Sequence, residues 1–542
     1  MPVYVSSQSE QRAARAPSKR MAEFSDSQML EMTPELHPRR GINWFVLTML
    51  LGITGFLYLN LFALPNIPFL QAGDQIYFWV FAQRLCHGER VYRDFFQFTP
   101  PGTDLLYLLL LKIFGVRIWL PNATDVALGV ALCWTCFEIA RQIMARNLAV
   151  LATLLFLVLI YGGALNGTHH WFSVLAILCA TRIGLLGTSL TRLAGIGALL
   201  GLAGFFTQTH GGFAAFGFTL FLIAEECMTE GNWRNLAKAL TVLFASFAVV
   251  LAALDGYLVN AIGIQKLWYF QVSYSRQYLA FGQHPLLLGL GAVPTWHVLP
   301  TFIERVFVYL ALPIVYALVL VRIWRQGRSS IDRDWKDAML LCFVGLSLLL
   351  EVSFSANYVR VYAVSMPGIV LLVWILGESQ RVRRYAVVLA WIGIVCLGVQ
   401  QTISRHHKAS VVAVLPTGTV AVTPDAYEKL LWVIQNTRPG QYFFQGTWPG
   451  LYFPLKLRNP AYLSELTAYE STRPEDVQRT VQELDDKQVR FVLWAAYNDY
   501  PDPKYQSAYH LSPLRDYLHD RYRRVHVFSD QDEIWERKSH RD

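Results

Sequence analysis

Apolar runs of membrane-crossing length recur along most of the chain, and basic residues gather at alternate ends of them. A helix crosses the hydrocarbon layer with roughly 20 apolar residues, and Lys and Arg concentrate on the cytoplasmic side. Ile42–Leu64 is the first such run, preceded by Arg39 and Arg40. Ten further runs follow: 118–140, 148–165, 171–186, 193–207, 213–224, 236–259, 306–323, 338–354, 362–376 and 385–400. Arg141 with Arg146, Arg182 with Arg192, Arg234 with Lys238, Arg322 with Arg325, and Arg381 with Arg383 and Arg384 mark successive cytoplasmic turns. The reading is a polytopic α-helical membrane protein of about eleven crossings, with a cytoplasmic N-terminus and an extracytoplasmic C-terminus. Leu105–Val116 is too short to cross and would invert every later turn if it did, so it is read as a juxtamembrane or re-entrant helix.

Composition excludes the main alternatives. Only 16% of residues are charged against 54% hydrophobic, with a mean hydropathy of +0.31, unlike a soluble enzyme or a disordered chain. The formal charge of +8 is spread over the successive turns rather than massed on one face, which argues against nucleic acid as a partner. Cys133 and Cys136 sit within an apolar helix and behave as small hydrophobes.

Three regions follow. Residues 1–41 form a polar cytoplasmic tail, expected to be disordered and without a cleavable signal peptide. Residues 42–402 form the membrane region, with a first outer loop at 65–103. Residues 403–542 shift to a soluble composition, where helical segments 425–436 and 474–486 alternate with β-rich runs 441–445, 489–494, 525–528 and 533–536. That alternation predicts a small C-terminal α/β extracytoplasmic domain.

The candidate chemistry lies on the outer side. In QAGDQIYFWVFAQRLCHGERVYRDFFQFTPPGT (71–103), Asp74 opens an amphipathic helix just past the first crossing, where it can act as a helix cap or as a reactive carboxylate. Arg93-Asp94 precedes an aromatic run and a Pro-Pro-Gly break. His169, His170 and His210 fall at the same outer face, as polar lining or as ligands of a divalent metal, although nothing in their spacing defines a metal site. Tyr358 and Arg360, and Arg276 in the loop 260–300, stand at the outer boundary. Asn122 and Asn166 match the glycosylation sequon at a chance frequency.

The order of features in 74–102 resembles the first extracytoplasmic loop of GT-C glycosyltransferases: an acidic residue, an aromatic amphipathic helix, then Gly88-Glu89-Arg90-Val91-Tyr92-Arg93-Asp94-Phe95 and Pro100-Pro101-Gly102. Within that superfamily it is similar to bacterial members of glycosyltransferase family 39, relatives of the protein mannosyltransferases and of the aminoarabinose transferase acting on lipid A. The resemblance implies a transferase of the cytoplasmic (inner) membrane. It would move a sugar from a polyprenyl-phosphate-linked donor to a protein, lipid or glycan acceptor at the outer face. Asp74 matches the family's catalytic carboxylate and Asp94 its second acidic position, while Gln75 replaces the second acid of the usual pair. Another Asp of the family is replaced around Thr168-His169-His170, and the segment 357–362 with Pro367 loosely resembles its Arg/Tyr-rich segment. Arg360, with Tyr358, or Arg276 would clamp the leaving phosphate, because a guanidinium presents a planar fork to phosphate oxygens; Arg93 is a further substrate-binding candidate. Two other classes remain open. A transporter or flippase would carry paired broken helices and midplane charges, and an O-antigen polymerase or ligase would carry one large late loop such as 260–300.

Overall fold

In the computed structural model, residues 44–228, 231–276, 306–326, 333–354, 356–378, 380–466, 473–499 and 511–539 are described. The tail 1–41, most of the loop 260–300 and the pair Ser471-Thr472 ahead of the 474–486 helix lie outside these residues. From Leu50 onward the chain forms one compact unit.

Helix α1 (Trp44–Leu61) ends in a small hairpin of β1 (Phe62–Ala63) and β2 (Ile67–Pro68). The first loop then supplies α2 (Gln75–Cys86) and, after the Pro100-Pro101 break, α3 (Gly102–Phe114). At 13 residues α3 is too short to cross a bilayer. The apolar series continues with α4 (Leu120–Ile143), α5 (Arg146–Leu155, extended by a π turn to Tyr161), α6 (His169–Gly184), α7 (Leu190–Phe206), α8 (Gln208–Met228), α9 (Trp233–Ile262) and the short α10 (Ile264–Trp268). Beyond 305 come α11 (Leu312–Gln326), α12 (Arg333–Ser353), α13 (Tyr358–Ala363), α14 (Met366–Glu378) and α15 (Gln380–Lys408).

The apolar runs of the sequence are mostly helical, although the 362–376 run is broken at Val364-Ser365 between α13 and α14 and the 148–165 run leaves its helix after Tyr161. Among the described residues six segments, 44–61, 120–143, 208–228, 233–262, 308–325 and 385–408, combine the length and hydropathy needed to cross. The others are shorter or, like α12 with Lys336, Asp337 and Glu351, carry more charge. The chain is a multi-pass membrane protein. Small residues let the helices approach closely: a methyl group at Gly197 would lie 2.2 Å from the Leu243 carbonyl oxygen, and one at Gly201 2.6 Å from that of Phe247. The α7–α9 contact therefore depends on these glycines, the usual device where lipid removes the hydrophobic drive between helices.

After Lys408 strands appear. A hairpin of β3 (Val411–Leu415) and β4 (Gly418–Val422) pairs in antiparallel register, an element the sequence reading did not separate. A four-stranded sheet has the order β5-β6-β8-β7, formed by Phe444–Gln445, Phe491–Trp494, Glu533–Arg537 and Tyr522–Val527. Only β5 and β6 run parallel. Helices Pro424–Asn436 and Pro474–Asp486 fall where the sequence places them.

This C-terminal part shares a core with the first loop. Trp79, Phe81, Phe95 and Tyr107 pack in one buried cluster with Tyr452, Phe453, Leu493 and Trp494. Hydrogen bonds join the two, Leu70 N–H to Ala421 O (2.8 Å) and Phe96 N–H to Tyr462 O (2.9 Å), and Ile118 N–H in the turn after α3 adds a third to Thr417 O (3.1 Å). Arg84 is the buried pin. It pairs with Glu89 at 2.7 Å, donates to Ala461 O at 2.9 Å and Asp94 O at 3.1 Å, and lies 5.0 Å from the Phe95 ring. Removing it strands acceptors that water reaches poorly. Arg84→Met should cost about 2–3 kcal/mol, the penalty for unsatisfied buried partners, read as a lower unfolding midpoint of the detergent-solubilised protein. An unchanged midpoint would show that packing alone holds the C-terminal part in place.

Candidate active site

A cavity of about 390 Å³ opens where the first loop, several helix ends and the C-terminal part meet. Asp74, Tyr77, Phe78 and Phe81 line it from the start of α2, and Phe96 to Thr99 from the rest of the loop. His169 and His170 enter from the first turn of α6, Thr207 to Thr209 from the α7–α8 junction, Ser275 from beyond α10, and Glu351 from α12. Asn357, Val359 and Arg360 come from the start of α13, and Trp448, Leu463, Ser464 and Glu465 from the C-terminal part.

Asp74 occupies the N-cap position of α2, yet its side chain makes no cap hydrogen bond. The first free N–H of the helix, that of Gln75, donates instead to Asn166 Oδ1 at 3.0 Å. Gly73 permits this with a φ of 91°, a backbone conformation that suits glycine. Gln75 is fully buried: its Oε1 accepts from Gly167 N–H at 3.0 Å and its Nε2 donates to Gln71 at 2.9 Å. A carboxylate at position 75 could not make that donation, so the departure from the family's acidic pair has a structural reason here. With its capping duty taken over, the Asp74 carboxylate is free to face the cavity. It is reached by solvent there but ringed by protein atoms, and this partial desolvation pushes its pKa above the usual aspartate value, opposed by the nearby Arg360 guanidinium.

Arg360 begins its helix with a backbone N–H capped by Asn357 Oδ1 at 3.0 Å. Among the described residues no hydrogen bond or ion pair engages its guanidinium. The two histidine rings lie 3.9 Å apart between centroids, tilted by 39°, with Phe78 5.3 Å from His169. Across the cavity Tyr77 donates to Glu465 and meets the Trp448 indole edge-on at 4.8 Å.

The structure thus brings Asp74, His169, His170 and Arg360 together. His210 is fully buried one layer behind, its Nε2 3.3 Å from Glu351. Asp94 and Arg93 are not brought to the cavity lining. They bind each other through two 2.8 Å contacts, and Asp94 also accepts from Arg90 N–H at 2.8 Å, closing the turn at Tyr92 whose φ is 65°. The Arg93 guanidinium holds the Asp94 carboxyl below its usual pKa. A half-exposed pair of this kind orders a loop and adds little stability. Tyr358 is exposed and packs on Tyr362, and Arg276 is exposed beside the lining Ser275. Both sequons are structural, since Asn122 donates to Leu61 O and Phe69 O and Asn166 caps α2. Among the described residues no three His, Cys, Asp or Glu side chains converge as a metal site.

Glu351, Trp448 and Glu465 were missed from the sequence. Glu351 carries a usable signal, a lone acid ending the apolar run Leu348-Leu349-Leu350, because such residues are costly unless functional. Trp448 and Glu465 carry none, lying in an ordinary loop of the C-terminal part.

No family model and no curated protein matches the chain in sequence. Its architecture does have counterparts. ArnT from Cupriavidus metallidurans, bound to undecaprenyl phosphate, superposes with a TM-score of 0.57 at 12% identity, over 92% of this chain and 99% of that one. The Archaeoglobus fulgidus oligosaccharyltransferase tethered with an acceptor peptide gives 0.53 at 10% identity, over 92% and 74%. Both are GT-C membrane glycosyltransferases. The chain has the GT-C fold. The fold that the order of residues in the first loop suggests and the architecture of these structures therefore agree, at 10–12% sequence identity.

The capping exchange is directly testable. Asn166→Ala should lower stability by about 1 kcal/mol, the usual worth of a helix cap, whereas Asp74→Ala should leave the unfolding midpoint unchanged. The reverse order in thermal unfolding of the two purified variants would return Asp74 to a capping role.

Proposed function

We propose that the chain is a membrane glycosyltransferase that moves a sugar from a polyprenyl-phosphate-linked donor to an acceptor at the outer face of the cytoplasmic membrane. The observation that carries this reading is an Asp74 carboxylate released from capping and, lining the same cavity, an Arg360 guanidinium that no described residue engages. The fold supports it, since the superposed ArnT holds undecaprenyl phosphate and an archaeal oligosaccharyltransferase of the same fold, AglB, holds dolichol-phosphate.

In this mechanism the acceptor hydroxyl lies against Asp74, which takes its proton as the oxygen attacks C1 of the sugar from the face opposite the phosphate. The new bond is O–C1. The bond from C1 to the phosphate oxygen breaks, and its electron pair leaves with the lipid phosphate. Arg360 meets the charge that develops there, and its planar fork suits two phosphate oxygens at once. The aromatic wall of Tyr77, Phe78, Phe81 and Trp448 keeps bulk water from competing with the acceptor.

Asp74→Asn removes the proton acceptor while leaving the Asn166 cap intact. Transfer should fall about 10²–10⁴-fold with an unchanged unfolding midpoint. A base works only when ionised, so wild-type activity is present above the Asp74 pKa and lost as pH falls through it. Because that pKa is raised, the acid limb should lie above about pH 4, the ordinary aspartate value. In the same assay Arg360→Ala should lose more than Arg360→Lys, which keeps the charge but not the fork. An Asp74→Asn variant that transfers sugar normally would remove Asp74 from the mechanism.

The orientation is part of the proposal and follows from the Arg clusters of the turns. A reporter active only outside the cytoplasm, fused after Gln400, should give signal. A stable but silent fusion would place the cavity on the cytoplasmic side.

A further inference from the structure

The hairpin of β3 and β4 has two faces, and one of them belongs to the core. Ala413, Leu415, Val420 and Val422 join the buried cluster on that side. On the other side the register pairs Val412 with Ala421 and Val414 with Thr419, while Phe69 bridges Ala421 from the far edge. Directly paired residues point to the same face of a sheet, so Val412, Val414, Ala421 and Phe69 share it. The Phe69 ring meets His406 edge-on at 5.0 Å, and His406 Nε2 lies 2.8 Å from Leu59 O. This face is therefore turned to the ends of α1 and α15, two helices of membrane-crossing length. Ala421 is covered there, but Val412 is 52% and Val414 77% exposed.

Both ends of the hairpin are tied to crossing segments. β3 starts three residues past Lys408, the last residue of α15. At the turn, Thr417 O accepts from Ile118 N–H, beside Trp119 and the start of the segment 120–143. Trp119 is exposed as well, and tryptophan favours the boundary between lipid and water. β3 is also an edge: among the described residues it pairs only with β4. An edge strand in water is normally blunted by charge or proline, as β7 is by Arg523 and Arg524. The β3 sequence VVAVL carries neither.

We propose that the exposed face of this hairpin is a lipid-binding surface, with Val412 and Val414 seated in the leaflet beside α1 and α15. The occupant is the phospholipid bilayer, because the face continues the lipid-facing side of α15, where Val399 and Ile403 are exposed. The strand lies at headgroup level and no deeper, since the backbone groups of its edge need water as a partner. Its two valines reach the acyl boundary, as the apolar face of an interfacial helix does. The cavity is affected in turn. Thr417 Oγ1 donates to Pro454 O at 2.7 Å, in the segment whose Tyr452 and Phe453 share the buried cluster of the first loop. A leaflet under the hairpin thus supports the C-terminal wall of the cavity, whatever group the protein transfers.

The test uses the full chain in vesicles of phosphatidylethanolamine and phosphatidylglycerol, with the exposed Cys86, Cys227 and Cys396 replaced by serine. Nitroxide labels are placed singly at Val412→Cys and Val414→Cys. Their collisions with oxygen, which partitions into lipid, are compared with those of a water-soluble nickel chelate. Val399→Cys on α15 is the lipid reference, and Gln482→Cys on the helix Pro474–Asp486 is the water reference. Both hairpin labels should give an oxygen-to-nickel ratio well above that of Gln482→Cys and toward that of Val399→Cys. A ratio matching Gln482→Cys would overturn the proposal. So would an immobile label that neither reagent reaches, which would assign the face to a second copy or another protein.

The same face can be read without a label in the hairpin. A diazirine-tagged phosphatidylcholine, photolysed with the unmodified chain, should mark the segment 409–415, located by mass spectrometry. Marking confined to the crossing helices would sink the proposal even if the labelled variants failed to fold.

Discussion

Everything at the cavity depends on the first loop being fastened to the C-terminal part. The loop is polar and aromatic, too polar to enter lipid and too apolar to stand in water. It is stable because Trp79, Phe81 and Phe95 share a buried cluster with Tyr452, Phe453 and Trp494. Arg84 gives that cluster its register by reaching two carbonyl oxygens, one on each side of the junction. The guanidinium can be buried only because its donors find partners and Glu89 balances its charge. The C-terminal part is consequently a wall of the site, supplying Trp448 and Glu465 to its lining.

The same fastening sets the electrostatics. A carboxylate at a helix start ordinarily spends its lone pairs on the free N–H groups of the first turn. Here Asn166, brought up by the turn before α6, takes that duty, and Asp74 is left to the cavity. Desolvation then works against its charge and Arg360 works for it. On the far wall Glu351 is restrained by Thr209 and His210. Three carboxylates therefore face one cavity in different states of restraint, Asp74 open to a substrate, Glu351 tied to a histidine and Glu465 accepting from the Tyr77 hydroxyl.

Much of the architecture was legible in the residues. The apolar runs became helical, all but 362–376 in one piece, because length and hydropathy are local properties, and the bilayer, as solvent, acts on them directly. The 474–486 helix was equally readable from a proline in its first turn and its acidic start. The β3–β4 hairpin was not separated, although VVAVL and GTVAV around Pro416-Thr417 carry the β-branched signal of paired strands. For the site, Asp74, His169, His170 and Arg360 were named from the residues and share one cavity. Arg93 and Asp94 were named as well, but adjacent residues of opposite charge in an exposed turn satisfy each other first.

The sequence by itself determined that this chain lives in a membrane, where its helices run, and that an acidic residue follows the first crossing in a GT-C-like order. Those are statements about composition and near neighbours. Only the tertiary structure decided what each polar group does, because the deciding partners are far apart along the chain. Asn166 caps a helix 91 residues before it, and Thr209 restrains an acid 142 residues after it. No periodicity encodes such pairings. They arise when packing removes water and each buried donor or acceptor must find a partner among the groups that the fold has brought within reach.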